Sequence, residues 1–248
     1  MLKVAGVDKA YGRGGLLAKE KQQVLRNVSF ECESGECLGI IGESGSGKST
    51  LGRLILGMEW PDRGTILFEG QNVGDRKVRL GSMSAVFQDY TSSINPFFTV
   101  EQAIAEPLEA LRRTKADREG KVAHLLQAVG LNASYKSKYA HELSGGEAQR
   151  VCIARALATD PSFLLLDEAI SSLDVSVQMQ VLELLKELKD VYQMSYVFIT
   201  HDIQAAAYIC DRIVIFHEGQ VEEIVPAKHL KDVQSPYARR LLRHIITF

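Results

Sequence analysis

Residues 38–50 read Leu-Gly-Ile-Ile-Gly-Glu-Ser-Gly-Ser-Gly-Lys-Ser-Thr, a short apolar strand running into a glycine-rich loop and then a helix. From Gly42 through Ser49 the pattern G-x-x-x-x-G-K-[ST] is complete. Gly45 and Gly47 let the backbone turn its N–H groups inward, Lys48 reaches outer phosphates, and the Ser49 hydroxyl is suited to Mg²⁺. The helix that begins near Lys48 adds its positive end, so the loop favours an anion before any side chain is counted. A turn built only for tight packing needs neither the Lys-Ser pair nor the strand. The stretch therefore predicts a nucleoside triphosphate site with Gly42, Ser44, Gly45, Gly47, Lys48, Ser49 and Thr50 as its binding residues.

The chain has 248 residues, 46% hydrophobic and 24% charged, with a net charge of −2. That length fits one domain of two lobes sharing a core. The near-neutral charge argues against a dominant nucleic-acid-binding face. Cys32, Cys37, Cys152 and Cys210 show no CxxC spacing, so they predict reduced, cytosolic thiols rather than a zinc site or disulfide framework. Neither a signal peptide nor an apolar run of the ~20 residues that span a bilayer is expected.

Upstream, residues 2–7 read as a strand, Gly12 to Gly15 as a turn or loop, 16–23 as a polar connection, and Val24 to Phe30 as a half-buried strand. Tyr11, just before the loop, is either a surface aromatic or a ring that stacks on adenine. Downstream, strands are expected at Thr65–Phe68 and Ser84–Phe87, the latter ending at Gln88, whose amide can address Mg²⁺ or a water. Thr99-Val100-Glu101-Gln102 has the form of a helix start, with helix to about Arg113 bent or interrupted by Pro107. Asp117 to Val129 reads as a second helix closed by Gly130. Residues 97–140 thus form a mostly helical insertion.

Leu143-Ser144-Gly145-Gly146-Glu147 precedes an apolar-periodic helix over 151–158. Ser144 and Glu147 make a capping box. The box does not account for Gly145 and Gly146, which strip side chains from a helix N-terminus and so suit it to a second phosphate. Phe163-Leu-Leu-Leu-Asp167-Glu168 is a buried parallel strand by pattern, ending where α/β sheets bind ligands. Asp167 suits Mg²⁺, and Glu168 suits the polarising of a water for attack on a γ-phosphate. A solvated Asp-Glu turn is the alternative. Ser171-Ser172-Leu173-Asp174 leads into a helix over 175–192, and strand 197–200 ends at His201, placed to hydrogen-bond the γ-phosphate.

Taken in order, Tyr11, the phosphate loop, Gln88, Leu-Ser-Gly-Gly-Glu, Leu-Leu-Leu-Asp-Glu, Ser-Ser-Leu-Asp and His201 resemble the ATPase subunit of an ATP-binding cassette (ABC) transporter across essentially the whole chain. The resemblance implies an α/β fold: a P-loop NTPase core with a mixed sheet, an N-terminal antiparallel β subdomain and a helical subdomain. It implies one domain, with a core at about 1–90 and 160–225, a helical subdomain at about 91–159 and a tail at about 226–248. It implies ATP and Mg²⁺ as cofactors, with Ser49, Gln88 and Asp167 at the metal, Glu168 as general base and His201 as switch. Two subunits, identical or paralogous, would pair head to tail, each offering Ser144, Gly145, Gly146, Glu147 and the Asp174 loop to the other's nucleotide. Two transmembrane permease subunits and, indirectly, an extracytoplasmic solute-binding protein complete the expected partners, and no nucleic acid is among them. The location implied is the cytoplasmic face of the cell membrane.

Within the family, Phe87-Gln88-Asp89, Ser92-Ser93-Ile94-Asn95-Pro96 and Ser235-Pro236-Tyr237-Ala238 are similar to oligopeptide, dipeptide and nickel importer ATPases. Asp167-Glu168-Ala169-Ile170-Ser171 departs from Asp-Glu-Pro-Thr-Ser toward the nickel type, and late cysteines are absent from the sequence. Both departures favour nickel or a metal chelate over oligopeptides or dipeptides as cargo. They also alter the link between the catalytic strand and the Asp174 loop. A DNA- or ribosome-acting ATPase is disfavoured, because the interval between the phosphate loop and Ser144 leaves no room for a long coiled coil and only one cassette is present. After His201, a helix is expected over 203–210, strands over 212–216 and 221–225 joined by a turn at His217-Glu218-Gly219-Gln220, and an amphipathic helix over 235–246 carrying Arg239, Arg240 and Arg243.

Overall fold

The strand expected ahead of the phosphate loop forms as β3, Cys37–Ile41, with every residue buried. It runs between two parallel neighbours, β8 (Ser195–Thr200) and β9 (Arg212–His217), pairing Ile41 with Thr200 on one side and Ile215 on the other. A parallel strand packed on both faces needs apolar residues at successive positions, which is why this stretch reads as an unbroken run. The structure is a computed structural model and describes residues 1–12, 21–89, 93–112 and 114–243. It contains two compact units, one of residues 1–80 with those from Ser195 onward, the other of residues 81–194.

In the first unit, β1 (Leu2–Gly12), β2 (Lys21–Cys32), β4 (Arg63–Phe68) and β5 (Gln71–Asn72) form an antiparallel sheet in the order β2-β1-β4-β5. Leu2, Val4, Val7, Leu25, Val28 and Phe30 supply its buried face. Two expectations are corrected here. Gly12 is not in a loop but ends β1, paired with Lys21, and the supposed polar connection is already strand from Lys21 onward. β2 is an edge strand held to β1 by backbone bonds, so its first residues stay exposed without apolar alternation. Residues 13–15 of the expected turn lie outside the described residues.

The second sheet of this unit has the order β10-β9-β3-β8. β10 (Gln220–Pro226) returns antiparallel on β9 through a hairpin whose central residues, Glu218 and Gly219, have φ of 43° and 80°. Two positive φ values in a two-residue loop match the right-handed twist of the strands. Helix α1 (Lys48–Ile55) follows β3 and buries Leu51, Leu54 and Ile55, and a single-turn α2 (Arg76–Arg79) follows β5. Asp202 caps α7 (Ile203–Ile209), which ends one residue short of the expected Cys210. The tail forms α8, Pro236–Arg243, burying Tyr237, Ala238 and Leu242; the expected continuation to 246 lies outside the described residues.

The second unit holds the parallel pair β6 (Met83–Phe87) and β7 (Phe163–Asp167) with four main helices. Thr99 starts α3 (Val100–Ala110) with a full capping box to Gln102. Pro107 sits within α3 without interrupting it, and the last turn still closes by Leu111 N–H on the Pro107 carbonyl at 3.3 Å. Thr114 caps α4 (Lys115–Ala128), and Gly130 follows at φ +74° as the expected helix stop. α5 (Gly145–Leu157) and α6 (Val175–Tyr192) start at Ser144 and Asp174. No described helix is long and apolar enough to cross a membrane.

Gly219 is bound on both sides, since a Cβ there would stand 2.2 Å from the Val24 carbonyl oxygen at a φ that side chains rarely adopt. Gly219→Ala is expected to lower unfolding free energy by roughly 2–4 kcal/mol, read from chemical denaturation. All four cysteines are buried and outside any disulfide, and burial pushes the Cys152 thiol up to about 12 and Cys32 higher still. A thiol-reactive dye should therefore label none of them in the native protein within minutes, and all four after denaturation.

Candidate functional site

The phosphate loop is shaped by what presses on it. A Cβ at Gly42 would lie 2.1 Å from the Phe216 carbonyl oxygen, so strand β9 approaches as closely as a glycine allows. Gly47, at φ +105°, is the N-cap of α1 and lies against Leu25 and Val24; Gly45, at φ +80°, faces open space. Gly219 N–H donates to the Ser46 carbonyl at 2.9 Å. Inside this frame the Lys48 ammonium is buried and donates to the carbonyls of Gly42 and Glu43, each at 2.8 Å. Ser44, Gly45 and Ser49 are exposed, whereas Thr50 is buried and its hydroxyl accepts from Arg53 at 3.2 Å. The cradle thus pairs an open rim with a buried ammonium at a helix N-terminus, an arrangement suited to an anion.

His201 leaves the C-terminal end of β8, next to the strand that feeds the loop, and is exposed. Thr200 Oγ1 accepts from Asp202 N–H at 3.0 Å, and Asp202 caps α7, so the backbone on either side of His201 is fixed. The loop and the histidine therefore emerge from the same edge of adjacent parallel strands, the edge where α/β sheets take ligands.

Tyr11 lies on β1, half-buried, with its hydroxyl donating to the Glu59 carboxylate. Arg53 Nε holds the same carboxylate at 2.5 Å, and the Lys9 ammonium stands 5.3 Å from the ring centroid. The Tyr11 hydroxyl is the main cause that draws the Glu59 carboxyl below its ordinary range. The ring is thereby anchored through Glu59 to Arg53 of α1. Sequence reasoning missed Glu59 and Arg53, and no local spacing marks them.

In the second unit, Phe87 pairs with Asp167, so Gln88 and Glu168 leave the ends of adjacent parallel strands. Asp167 is buried, Gln88 exposed and Glu168 half-buried. Glu168 has φ +51°, a left-handed conformation unusual for a side chain of this kind, and its carbonyl accepts from Ser171 N–H and Oγ at 3.1 and 2.9 Å. Ala169 and Ile170, the departure from the common sequence, are both buried, and the Ile170 carbonyl accepts from Leu173 N–H at 3.1 Å and Gln178 Nε2 at 3.0 Å. The turn from Glu168 to Asp174 is therefore closed without proline or threonine. Asp174 caps α6 through Val177 N–H at 3.1 Å, and hydrogen bonding to Ser176 leads the causes that lower its carboxyl.

At Ser144–Glu147 the capping box forms in full: Glu147 N–H donates to Ser144 Oγ at 3.4 Å and Ser144 N–H to Glu147 Oε2 at 2.7 Å. Tyr135 donates to the other Glu147 oxygen and, as the largest cause, holds that carboxyl at about 2. Glu147 thus shapes the helix start. Gly146 has a packing reason of its own, because a Cβ there would stand 2.6 Å from Val177 Cγ1. Ser144 is exposed and both glycines half-buried, so this N-terminus is not walled off.

Comparison with known proteins supplies the rest. The family model described as ABC transporter matches residues 25–171. A metal-staphylopine import system ATP-binding protein, CntF of Staphylococcus aureus, is 46% identical over all of both chains. The oligopeptide transport ATP-binding protein OppF of Bacillus subtilis is 45% identical over 90% of this chain and 76% of its own length. The nickel import ATP-binding protein NikE of Escherichia coli is 40% identical over 90% and 86%. Among solved structures, the dimeric ATP-binding cassette MJ0796 bound to ADP and Pi superposes with a TM-score of 0.81 at 30% identity, covering 92% of this chain and 99% of that one. With its fold, its motifs and these relatives in agreement, the chain belongs to the ABC transporter family, as one of its ATPase subunits.

Proposed function

We propose that this chain is the ATP-hydrolysing subunit of an importer, that it pairs head to tail with a second homologous ATPase subunit, and that the pair drives two permease subunits supplied by an extracytoplasmic solute-binding protein. It works peripherally at the cytoplasmic face of the cell membrane. The observation that carries this reading is the full-length similarity to an import-system ATP-binding protein, joined to a phosphate loop whose lysine is held among backbone carbonyls. The dimeric state named for the ADP- and Pi-bound cassette supports the pairing. The domain division at about 1–90 with 160–225, 91–159 and 226–248 belongs to the same proposal.

Each residue then has a role. Tyr11 stacks on adenine, its orientation set by Glu59. Lys48 exchanges two carbonyl partners for phosphate oxygens, and Ser44, Gly45 and Gly47 offer backbone N–H groups. The exposed Ser49 hydroxyl and the Asp167 carboxylate, with the Gln88 amide, fit a hard cation that prefers oxygen ligands. When bound, Mg²⁺ supplies neutralisation of the triphosphate charge. Glu168 accepts the proton of the attacking water, and His201 donates to the γ-phosphate. Ser144, Gly145 and Gly146 present N–H groups to the nucleotide of the second subunit, and the Asp174 loop accompanies them.

For cargo, a metal held by a small chelator, or nickel, is favoured by the full-length match to the metal-staphylopine system and by Ala169-Ile170. An oligopeptide or dipeptide is the second reading, favoured by the oligopeptide relative at nearly equal identity.

Glu168→Gln in the assembled transporter should bind ATP as the wild type does while turnover falls on the order of 10²-fold or more, measured by phosphate release. Undiminished turnover removes Glu168 as base. Cells carrying the complete system should accumulate radiolabelled nickel or a chelated metal in a manner abolished by Lys48→Ala. Uptake of labelled peptides alone would decide for the second reading.

A further inference from the structure

The segment after α1, residues 59–62, is stitched to the end of β1 at three points besides the Tyr11–Glu59 contact. Lys9 Nζ donates to the Trp60 carbonyl at 2.6 Å, Ala10 N–H to Asp62 Oδ2 at 2.7 Å, and Asp62 N–H to the Asp8 carbonyl at 2.8 Å. The backbone carrying Tyr11 and the backbone carrying Glu59 are thereby held to each other. The remaining tie of Glu59 runs to α1.

That tie is Arg53. Its Nε donates to Glu59 Oε1 at 2.5 Å, and its Nη2 donates to Thr50 Oγ1 at 3.2 Å. Thr50 and Arg53 stand three residues apart on α1, hence on one face of the helix. Thr50 directly follows the phosphate-loop motif and is buried. A continuous chain of hydrogen bonds, Thr50–Arg53–Glu59–Tyr11, therefore joins the phosphate loop to the aromatic ring on β1. A guanidinium donates from separate nitrogens of one rigid plane, so a single side chain addresses both partners at a fixed angle, which an ammonium on a flexible stem does not. The Thr50 hydroxyl, accepting from Arg53, keeps its own proton to donate elsewhere.

We propose that Arg53 is a positioning residue for both ends of the nucleotide: one arm of its guanidinium orients the Thr50 hydroxyl at the phosphates, and the other, through Glu59, holds the Tyr11 ring for the base, so that the two ends are gripped by one preformed unit. The proposal rests on the reading of the loop and Tyr11 as the ATP site. A ring and a hydroxyl fixed before the ligand arrives need no ordering when it binds, and affinity gains by that difference.

The test uses the full-length chain, titrated by calorimetry with ATP and with inorganic tripolyphosphate, which lacks the base, each with Mg²⁺. Tyr11→Phe keeps the ring and leaves Glu59 paired with Arg53, so no carboxylate is stranded. The proposal expects it to raise the Kd for ATP about fivefold, the worth of one hydrogen bond, with tripolyphosphate within about twofold of wild type. A loosened fold would weaken both ligands alike. Arg53→Lys keeps the charge and loses the fork; it is expected to weaken ATP about tenfold and tripolyphosphate about threefold. Combining the two substitutions should weaken ATP no further than Arg53→Lys alone, because the Tyr11 hydroxyl has by then lost its fixed partner. The proposal is overturned by effects that multiply in the double variant, by a Tyr11→Phe that binds ATP as the wild type does or weakens both ligands alike, or by an Arg53→Lys that spares either ligand. If Tyr11→Ala binds ATP as tightly as the wild type, the adenine reading itself falls, and this proposal with it.

Discussion

The whole of the nucleotide machinery in the first unit depends on a single close approach: the carbonyl of Phe216 occupies the space that any side chain at position 42 would need. Because β9 comes this near, the loop leaving β3 has a rigid wall behind it. Gly219, in the hairpin that ends β9, can then reach the Ser46 carbonyl, and Lys48 finds two carbonyls held at equal distance. The loop's shape is therefore a property of its neighbours as much as of its own glycines. Gly45, which meets nothing, answers instead to its positive φ.

Much of this was legible from the sequence, for a physical reason in each case. Motifs that act through consecutive residues, such as the phosphate loop, the Thr99 and Ser144 capping boxes and the Glu218-Gly219 hairpin, leave local marks. β3, β7 and β8 were legible because strands buried on both faces must be apolar throughout. β1 and β2 ran longer than expected because backbone pairing at a sheet edge tolerates polar residues that periodicity counts as loop. The Tyr11–Glu59–Arg53 linkage, the seat of Gly146 against Val177 and the stack of His217 on Tyr237 were not legible, since each joins residues distant in sequence that no spacing rule connects.

Two of the carboxylates singled out from sequence turn out to be treated in opposite ways. Glu147 is tied on both oxygens, by the Ser144 amide and the Tyr135 hydroxyl, and so holds a helix end in shape. Glu168 sits on a left-handed backbone that costs free energy and is kept there by the Ser171 bonds to its carbonyl. A group held against its own conformational preference is the more natural place to look for chemistry.

The bracing of the phosphate loop also has a temporal side. Residues 42–48 leave the ribosome well before Phe216 and Gly219, and a comparable gap separates Cys37 N–H from the Asp211 carboxylate to which it donates, 174 positions away. Contacts of such long range form late and only once the intervening chain is available. A growing chain thus carries the most recognisable motif of its family through a long stretch of translation without the wall that gives it form, and its competence to grip a triphosphate waits on residues made far later.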